Sequence, residues 1–301
     1  MNKRYTAIDI GTNTILMLIA EKSPDGAILP IADENSIARL GEGVDKTGKI
    51  NENAIKRASS ILKQYKKLTD KYSVSSIRIA GTSALRDAKN AKDVREKLEN
   101  IIETKIDIIP GIREAELSFL GVVRDASPSV VIDIGGGSTE IISGKDKELS
   151  DRNSLNIGAV RITERIFGNH PPSKTEISKA IDIIDSELSE NISEIYEGKY
   201  YAVAGTPTTI AAIVMELKEY DDDKVNGFIL TTENTEKVFD HFLELSVDDI
   251  SNKFNIHPKR ADVITAGTLI LIRIMKFFSV KNLIVSSHGL RYGIIKEMFD
   301  Q

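Results

Sequence analysis

The 301-residue chain contains no cysteine, which excludes disulfides, a thiol nucleophile and thiolate metal sites. It also lacks a basic excess: 40 Lys and Arg face 45 Asp and Glu, for a net charge of −5. This balance argues against broad nucleic-acid binding, and an anionic ligand would need a local basic lining. No apolar run is long enough to span a bilayer, since the longest, residues 263–278, contains Arg273 and Lys276 and favours a buried helix. A first strand reached by Tyr5 leaves no room for a signal peptide, so we expect a cytoplasmic protein without membrane contact.

Two glycine-containing segments have the same layout. The segment VVIDIGGGSTEIISG at 130–144 and the segment AIDIGTNTILMLIA at 7–20 each contain an apolar strand, an aspartate, a glycine turn and a second strand. Glycines let backbone N–H groups approach a phosphate closely, although the first turn alone could be an ordinary hairpin. The candidate phosphate-binding residues are Asp9, Gly11, Thr12, Asn13, Thr14, Gly135, Gly136, Gly137, Ser138 and Thr139. The repeat predicts two similar halves that face each other across an interdomain cleft.

Apolar spacing predicts alternating strands and helices in both halves, which favours an α/β fold with mixed, largely parallel sheets. The first half is predicted to continue with a strand at 28–32, a helix at 53–71, a strand at 76–80, a single helix at 83–103, a strand at 105–109 and a helix at 114–125. The second half is predicted to continue with one or two strands at 149–160, a helix at 174–196, a strand at 200–204, a strand at 282–286 and a terminal helix from 289. The acidic run 221–223 predicts a solvated loop. We expect two domains, 1–124 and 125–301, with a terminal helix that can pack back on the first.

The duplicated β-β-β-α-β-α-β-α order resembles the ribonuclease-H-like (actin-like ATPase) domains of the actin, sugar-kinase and heat-shock-chaperone superfamily. Further segments are similar to the exopolyphosphatase and guanosine-pentaphosphate phosphatase (Ppx/GppA) family. They are IAGTSALRDA at 79–88, PGIREAELSFLG at 110–121, YAVAGTPTTIAAI at 201–213 and IVSSHGLRYGII at 284–295. Longer relatives carry a carboxy-terminal helical extension with a His-Asp dyad, which we do not expect in this chain.

The resemblance implies roles for four residues that also have ordinary structural interpretations. Glu114 matches the family's general base, although a carboxylate at a helix start also suits the helix dipole. Arg86 matches an arginine that stabilises phosphate charge, although a surface ion pair is the plainer interpretation. Asp133 and Glu140 match ligands of Mg²⁺ or another divalent cation, against the alternative of a turn aspartate and an exposed strand glutamate.

Gly205 and Thr206 are further candidate phosphate-binding residues. They form a third glycine turn that resembles the turn that kinases of the superfamily place at the nucleotide. Three positions depart from the family pattern. Leu16 stands where many relatives have Arg or His, Arg113 replaces a glutamate, and Ser287 replaces an aspartate. The cationic contact missing at Leu16 must therefore be absent or supplied from elsewhere. Candidate arginines and lysines for a basic channel are Arg161, Arg165, Lys259, Arg260 and Arg291.

The resemblance implies hydrolysis of the terminal phosphoanhydride of inorganic polyphosphate, of the 5′-γ-phosphate of guanosine pentaphosphate, or of both. Two alternatives stay open: a phosphotransferase with polyphosphate or ATP as donor, and a non-catalytic alarmone sensor. Dimers occur among relatives, so a homodimer is compatible with the resemblance.

Overall fold

A computed structural model describes residues 3–146 and 148–300. The chain divides into two compact units. Unit 1 runs to Gly121 and resumes at Leu290, and unit 2 comprises Val122–Gly289. Each unit contains one mixed β-sheet with helices packed against it. None of the helices in the described ranges has the length and apolarity of a membrane-spanning segment.

The strands of unit 1 are β1 (Arg4–Ile10), β2 (Thr14–Lys22), β3 (Ile28–Ile37), β4 (Ser76–Gly81) and β5 (Ile106–Ile108). The strands of unit 2 are β6 (Pro128–Ile134), β7 (Thr139–Lys145), β8 (Glu148–Leu155), β9 (Lys199–Val203), β10 (Ile229–Thr231) and β11 (Asn282–Val285). The helices that begin before residue 160 are α1 (Val44–Thr47), α2 (Glu52–Lys71), α3 (Ser83–Asp87), α4 (Ala91–Ile102), α5 (Gly111–Val122) and α6 (Ala159–Ile166). The later helices are α7 (Lys174–Asn191), α8 (Gly205–Val214), α9 (Asp222–Val225), α10 (Thr232–Leu243), α11 (Val247–Phe254), α12 (Pro258–Phe277) and α13 (Leu290–Phe299).

The two sheets share one strand order. Unit 1 has the order β3-β2-β1-β4-β5, and unit 2 has β8-β7-β6-β9-β11 with β10 added antiparallel at the edge. In both units the first three strands are antiparallel, and the following strand pairs parallel to the first. The predicted duplication and the mixed α/β architecture are therefore confirmed.

Apolar side chains on one face of each sheet form the cores. In unit 1, Ile8, Ile10, Ile15 and Met17 pack with the apolar face of α2. Tyr65 of that face is buried and donates its hydroxyl to the Ile15 carbonyl at 2.8 Å, which satisfies its polar end. Burial raises the pKa of Tyr65 to about 12, so the hydroxyl remains a donor at neutral pH.

The core of unit 2 is centred on α12, whose residues from Val263 to Ile272 are all buried. The prediction of a buried helix at 263–278 is thus confirmed. The preceding His257 caps this helix by accepting a hydrogen bond from the Lys259 N–H at 3.1 Å. A proline at the first helical position also favours the start observed there.

Several predicted elements differ from the structure. The helix predicted at 174–196 ends at Asn191, and the strand predicted at 28–32 extends to Ile37. The single helix predicted at 83–103 is two helices, because Asn90 lies between them and its side chain pairs with both backbone groups of Ile50 at 2.9 and 3.0 Å. The strand predicted to reach residue 160 ends at Leu155, and α6 follows. The loop predicted at 221–223 forms the start of α9, with Asp221 as its N-cap.

In unit 1, α13 packs closely on α5. A Cβ atom at Gly293 would lie 1.9 Å from the Leu117 carbonyl oxygen, so only glycine allows this helix approach. Arg113 of α5 pairs with Glu297 of α13 and also with Glu116 at 3.0 Å. The amino-terminal turn of α5 is therefore fixed from two sides.

Candidate functional site

The two predicted phosphate turns close in the same way. Gly11 N donates to Thr14 O at 2.9 Å, and Gly135 N donates to Ser138 O at 3.0 Å. A Cβ atom at Gly135 would lie 2.9 Å from the Ser138 carbonyl oxygen, which explains a glycine at this position. The sequence repeat therefore corresponds to a repeat in backbone geometry.

In unit 2, the segment after β8 covers the carbonyl groups of the glycine turn. Gly136 O accepts from Val160 N at 2.9 Å and from Arg161 N at 3.0 Å, and Arg161 Nε donates to Gly137 O at 2.7 Å. Carbonyl oxygens facing a phosphate would repel it, so their engagement by this segment favours anion binding. Within the described ranges, the backbone N–H groups of Gly136, Gly137 and Ser138 have no acceptor. Successive donors of this kind form an anion-binding nest.

Asp133 and Glu140 lie directly opposite each other on β6 and β7. Glu140 is fully buried, which excludes the alternative of an exposed strand glutamate, and its Oε1 accepts a hydrogen bond from Ser154 at 2.8 Å. Like charges at directly opposite positions are destabilising unless a cation offsets them. In unit 1 the corresponding position opposite Asp9 is Leu16, so only the second hairpin has the carboxylate pair.

The carboxylate pair fits Mg²⁺, which needs one or two protein carboxylates together with water and substrate phosphate oxygens. No group of three or more His, Asp or Glu side chains suited to a metal occurs among residues 3–146 and 148–300. A cation shared between Asp133, Glu140 and a phosphate is compatible with the geometry.

The two predicted catalytic residues of unit 1 contact each other. Pro110 O accepts from Glu114 N at 3.0 Å, which places Glu114 in the first turn of α5. Arg86, in the last turn of α3, donates from Nη1 to Glu114 Oε2 at 3.1 Å and to Ile109 O at 3.0 Å. The side chains of Arg86 and Glu114 are 26% and 12% exposed, so both are partly desolvated while remaining accessible. The pair orients the carboxylate and places a cation beside it.

The third glycine turn contains a backbone feature that its sequence does not indicate. Ala204, immediately before Gly205, has φ 74° and ψ −168°, a conformation that is nearly restricted to glycine. The Arg260 guanidinium packs on the turn, since a Cβ at Gly205 would lie 3.7 Å from Arg260 Cζ. Burial lowers the pKa of Arg260. Thr206 is buried against Gly267 of α12. The glycine within this apolar helix is the feature of the sequence that could have indicated the close contact.

The departure at Ser287 and one of the basic-channel candidates have structural explanations. Ser287 Oγ donates to Asp222 Oδ2 at 2.9 Å. A carboxylate from the acidic run 221–223 therefore lies beside the position where relatives have an aspartate. Of the basic-channel candidates, Arg291 donates from Nε and Nη2 to both carboxylate oxygens of Asp33, each at 2.9 Å. Arg291 therefore anchors α13 to β3 within unit 1.

Comparisons with known proteins agree with these features. The family model of the Ppx/GppA phosphatase family matches residues 18–301. The chain is 35% identical to the bifunctional 3-dehydroquinate synthase/phosphatase of Fusobacterium nucleatum over 97% of its own length, and it spans 46% of that protein. It is 31% identical to exopolyphosphatase 2 of Mycobacterium tuberculosis over 97% of both chains.

A solved structure also matches over nearly the full length. The Ppx/GppA family member of Aquifex aeolicus superposes with a TM-score of 0.84 at 32% identity, covering 99% of this chain and 98% of that one. The duplicated sheets, the glycine turns and these matches together show that the chain belongs to the Ppx/GppA phosphatase family.

Proposed function

We propose that the chain is a divalent-cation-dependent hydrolase of the terminal phosphoanhydride of inorganic polyphosphate, of the 5′-γ-phosphate of guanosine pentaphosphate, or of both. Family membership supports the reaction class, and the relative in Mycobacterium tuberculosis that matches over nearly its whole length is an exopolyphosphatase. The contact between Glu114 and Arg86 carries the proposal, because it joins a base for water to a cation for phosphate.

Glu114 orients the attacking water and accepts its proton. General-base assistance of this kind contributes about 10² to 10⁴ in rate. Arg86, held by the Ile109 carbonyl at 3.0 Å, offsets the charge that develops on the transferred phosphoryl group. The N–H groups of Gly136, Gly137 and Ser138 donate hydrogen bonds to phosphate oxygens. Because the turn already holds these donors in place, they need not reorient during the reaction.

Asp133 and Glu140 hold the cation in this proposal. Asp9 and the first turn act as phosphate-loop residues. Two unit charges 4 Å apart interact by about 4 kcal/mol at an effective dielectric of about 20, so bare carboxylates would repel a phosphate chain. Bound Mg²⁺ would supply Lewis-acid stabilisation and reverse the sign of this interaction. Glu140 keeps its orientation through the Ser154 hydroxyl and cannot turn into solvent, because it is fully buried.

The third glycine turn favours water, and not a nucleotide such as ADP, as the acceptor of the phosphoryl group. Gly205 is followed by Thr206 and Pro207, and the Arg260 side chain packs on the glycine. An acceptor nucleotide would have to displace or stack on that guanidinium. The second alternative, a non-catalytic alarmone sensor, is disfavoured because a protein that only binds its ligand needs no general base such as Glu114.

Phosphate release from polyphosphates of defined length and from guanosine pentaphosphate, with and without ADP, tests the proposal. We expect free phosphate in the absence of ADP, no increase in ATP when ADP is present, and loss of release with EDTA that Mg²⁺ restores. ATP formation with little free phosphate would identify a phosphotransferase. Tight binding of guanosine tetraphosphate without turnover of any phosphoanhydride would identify a sensor.

A further inference from the structure

The first phosphate turn is covered by a segment that belongs to none of the sequence motifs described above. Residues 38–41 follow β3 and donate three backbone hydrogen bonds to the turn. Asn13 O accepts from Ala38 N at 3.0 Å and from Arg39 N at 2.8 Å, and Thr12 O accepts from Gly41 N at 2.9 Å. A Cβ atom at Gly41 would lie 2.3 Å from Thr12 Cγ2, so the segment lies directly on the turn.

Arg39 of this segment has an unfavourable backbone conformation for its residue type. Its φ of 48° lies in the left-handed region, which Gly and Asn adopt at much lower cost than Arg. Arg57 of α2 keeps the segment in place by donating to Ala38 O at 2.7 Å and to Glu42 at 2.6 Å. Backbone strain that is held by surrounding contacts commonly occurs at functional sites. A long cationic side chain at a position suited to glycine therefore needs an explanation.

Unit 2 contains a similar arrangement that is shifted by one residue, because Gly136 corresponds to Thr12 and not to Asn13 when the two turns are aligned. There, one turn carbonyl, Gly136 O, accepts from two consecutive N–H groups, those of Val160 and Arg161. In unit 1 the pair of donors is Ala38 and Arg39, and the acceptor is Asn13 O. Each phosphate turn thus has an arginine on the segment that covers its carbonyl oxygens.

One feature of the first turn points to an anionic ligand. Thr12 is only 8% exposed, and its hydroxyl has no hydrogen-bond partner within residues 3–146 and 148–300. A buried hydroxyl without a partner is costly, whereas a phosphate oxygen would satisfy it. Leu16, on the adjoining strand, cannot supply the cation that such a ligand needs. The side chain of Arg39 is half-buried with its Nε atom covered, so it lies against the protein with part of its length accessible.

We propose that Arg39 is a substrate-binding residue of the first phosphate turn and supplies the cationic contact that Leu16 lacks. Its ligand is a phosphate of a phosphoanhydride chain. The proposal rests on the proposed function for the identity of the substrate, while binding itself can be measured without turnover. Arg39 contributes to binding in the ground state, so its loss raises KM and leaves kcat nearly unchanged.

Substitution of Arg39 by glycine or asparagine gives a clean test, because both residues accept φ 48° and retain the backbone N–H bonded to Asn13. We expect the denaturation midpoint to stay equal to that of the wild type or to rise. Loss of a hydrogen bond to a charged group should raise KM for polyphosphate about 10- to 100-fold. The Kd for tripolyphosphate, measured by calorimetry in the presence of Mg²⁺, should rise by the same factor. Arg39→Lys should lose less, and the dependence of binding on salt should weaken in Arg39→Gly.

Two controls separate charge and backbone effects from binding. Ser73→Gly removes backbone strain at another left-handed residue of unit 1, which has φ 50°. Lys92→Gln removes an exposed positive charge on α4. Both variants should bind tripolyphosphate with the affinity of the wild type. Wild-type affinity in both Arg39→Gly and Arg39→Asn would overturn the proposal. If the wild type binds tripolyphosphate but releases no phosphate from any substrate, the proposed function fails, and the binding comparison still decides the role of Arg39.

Discussion

Glu114→Gln should lower kcat by about 10² to 10⁴ while leaving substrate binding nearly unchanged, because glutamine keeps the shape of the side chain but cannot accept a proton from water. The amide oxygen can still accept the hydrogen bond from Arg86 that the carboxylate accepts at 3.1 Å. The positions of α3 and α5 should therefore be retained. Steady-state rates of phosphate release, combined with calorimetric binding of the substrate, separate the loss of the base from a loss of affinity.

Glu116→Gln is the matched control for this variant. Glu116 lies two residues further along α5, and its carboxylate pairs with Arg113 at 3.0 Å. The same chemical change is thus made on the same helix at a carboxylate with a structural partner. We expect kcat of Glu116→Gln within a few-fold of the wild type. Turnover by Glu114→Gln above half of the wild-type rate would contradict the role of Glu114 as the base.

Glu140→Gln should abolish the response to Mg²⁺ and yet leave the metal-free protein at least as stable as the wild type. The carboxylate of Glu140 is fully buried directly opposite Asp133, so removal of its charge relieves like-charge repulsion. Glutamine can still accept the hydrogen bond from Ser154 Oγ, which lies 2.8 Å from Oε1. Changes in residues that only support a metal ligand cost about 10- to 100-fold in metal affinity, so loss of a ligating carboxylate should cost at least as much.

Thermal denaturation of the protein alone measures the stability of the metal-free variant, and denaturation with tripolyphosphate in the presence and absence of Mg²⁺ measures its response to Mg²⁺, because a ligand that binds only the folded state raises the melting temperature. Glu148→Gln removes an exposed carboxylate at the start of β8 and should keep the wild-type Mg²⁺ response. A Glu140→Gln protein that is stabilised by Mg²⁺ as strongly as the wild type would exclude Glu140 as a ligand.

Local sequence patterns predicted the parts of the fold that depend on neighbouring residues. The hairpin around Gly135 was predicted because its apolar strands and its glycines lie within 15 residues of each other, and the observed register pairs Asp133 with Glu140. The boundary of the 83–103 helix was wrong because the break at Asn90 depends on hydrogen bonds to Ile50, 40 residues away. Local propensity cannot register such a distant partner.

The candidate site was likewise predictable where it depends on neighbouring residues and not where it depends on contacts between distant residues. Glu114 and Arg86 were each identified by a motif, but their contact joins residues 28 positions apart and required the packing of α3 beside α5. Arg39 lies in no recognised motif, and its left-handed backbone follows from two bonds to Asn13. The glycines at 41 and 43 were the available signal, since glycines after a strand often indicate close backbone approach.

Hydrolysis by water is the central claim, and the oxygen isotope content of the released phosphate tests it most directly. Polyphosphate or guanosine pentaphosphate is incubated with the wild-type protein and Mg²⁺ in water enriched in oxygen-18, and the phosphate is analysed by mass spectrometry. The account predicts one solvent oxygen in each phosphate released, with Glu114→Gln releasing labelled phosphate at a rate lower by about 10² to 10⁴. Release of phosphate without solvent oxygen, or no release from either substrate, would contradict it.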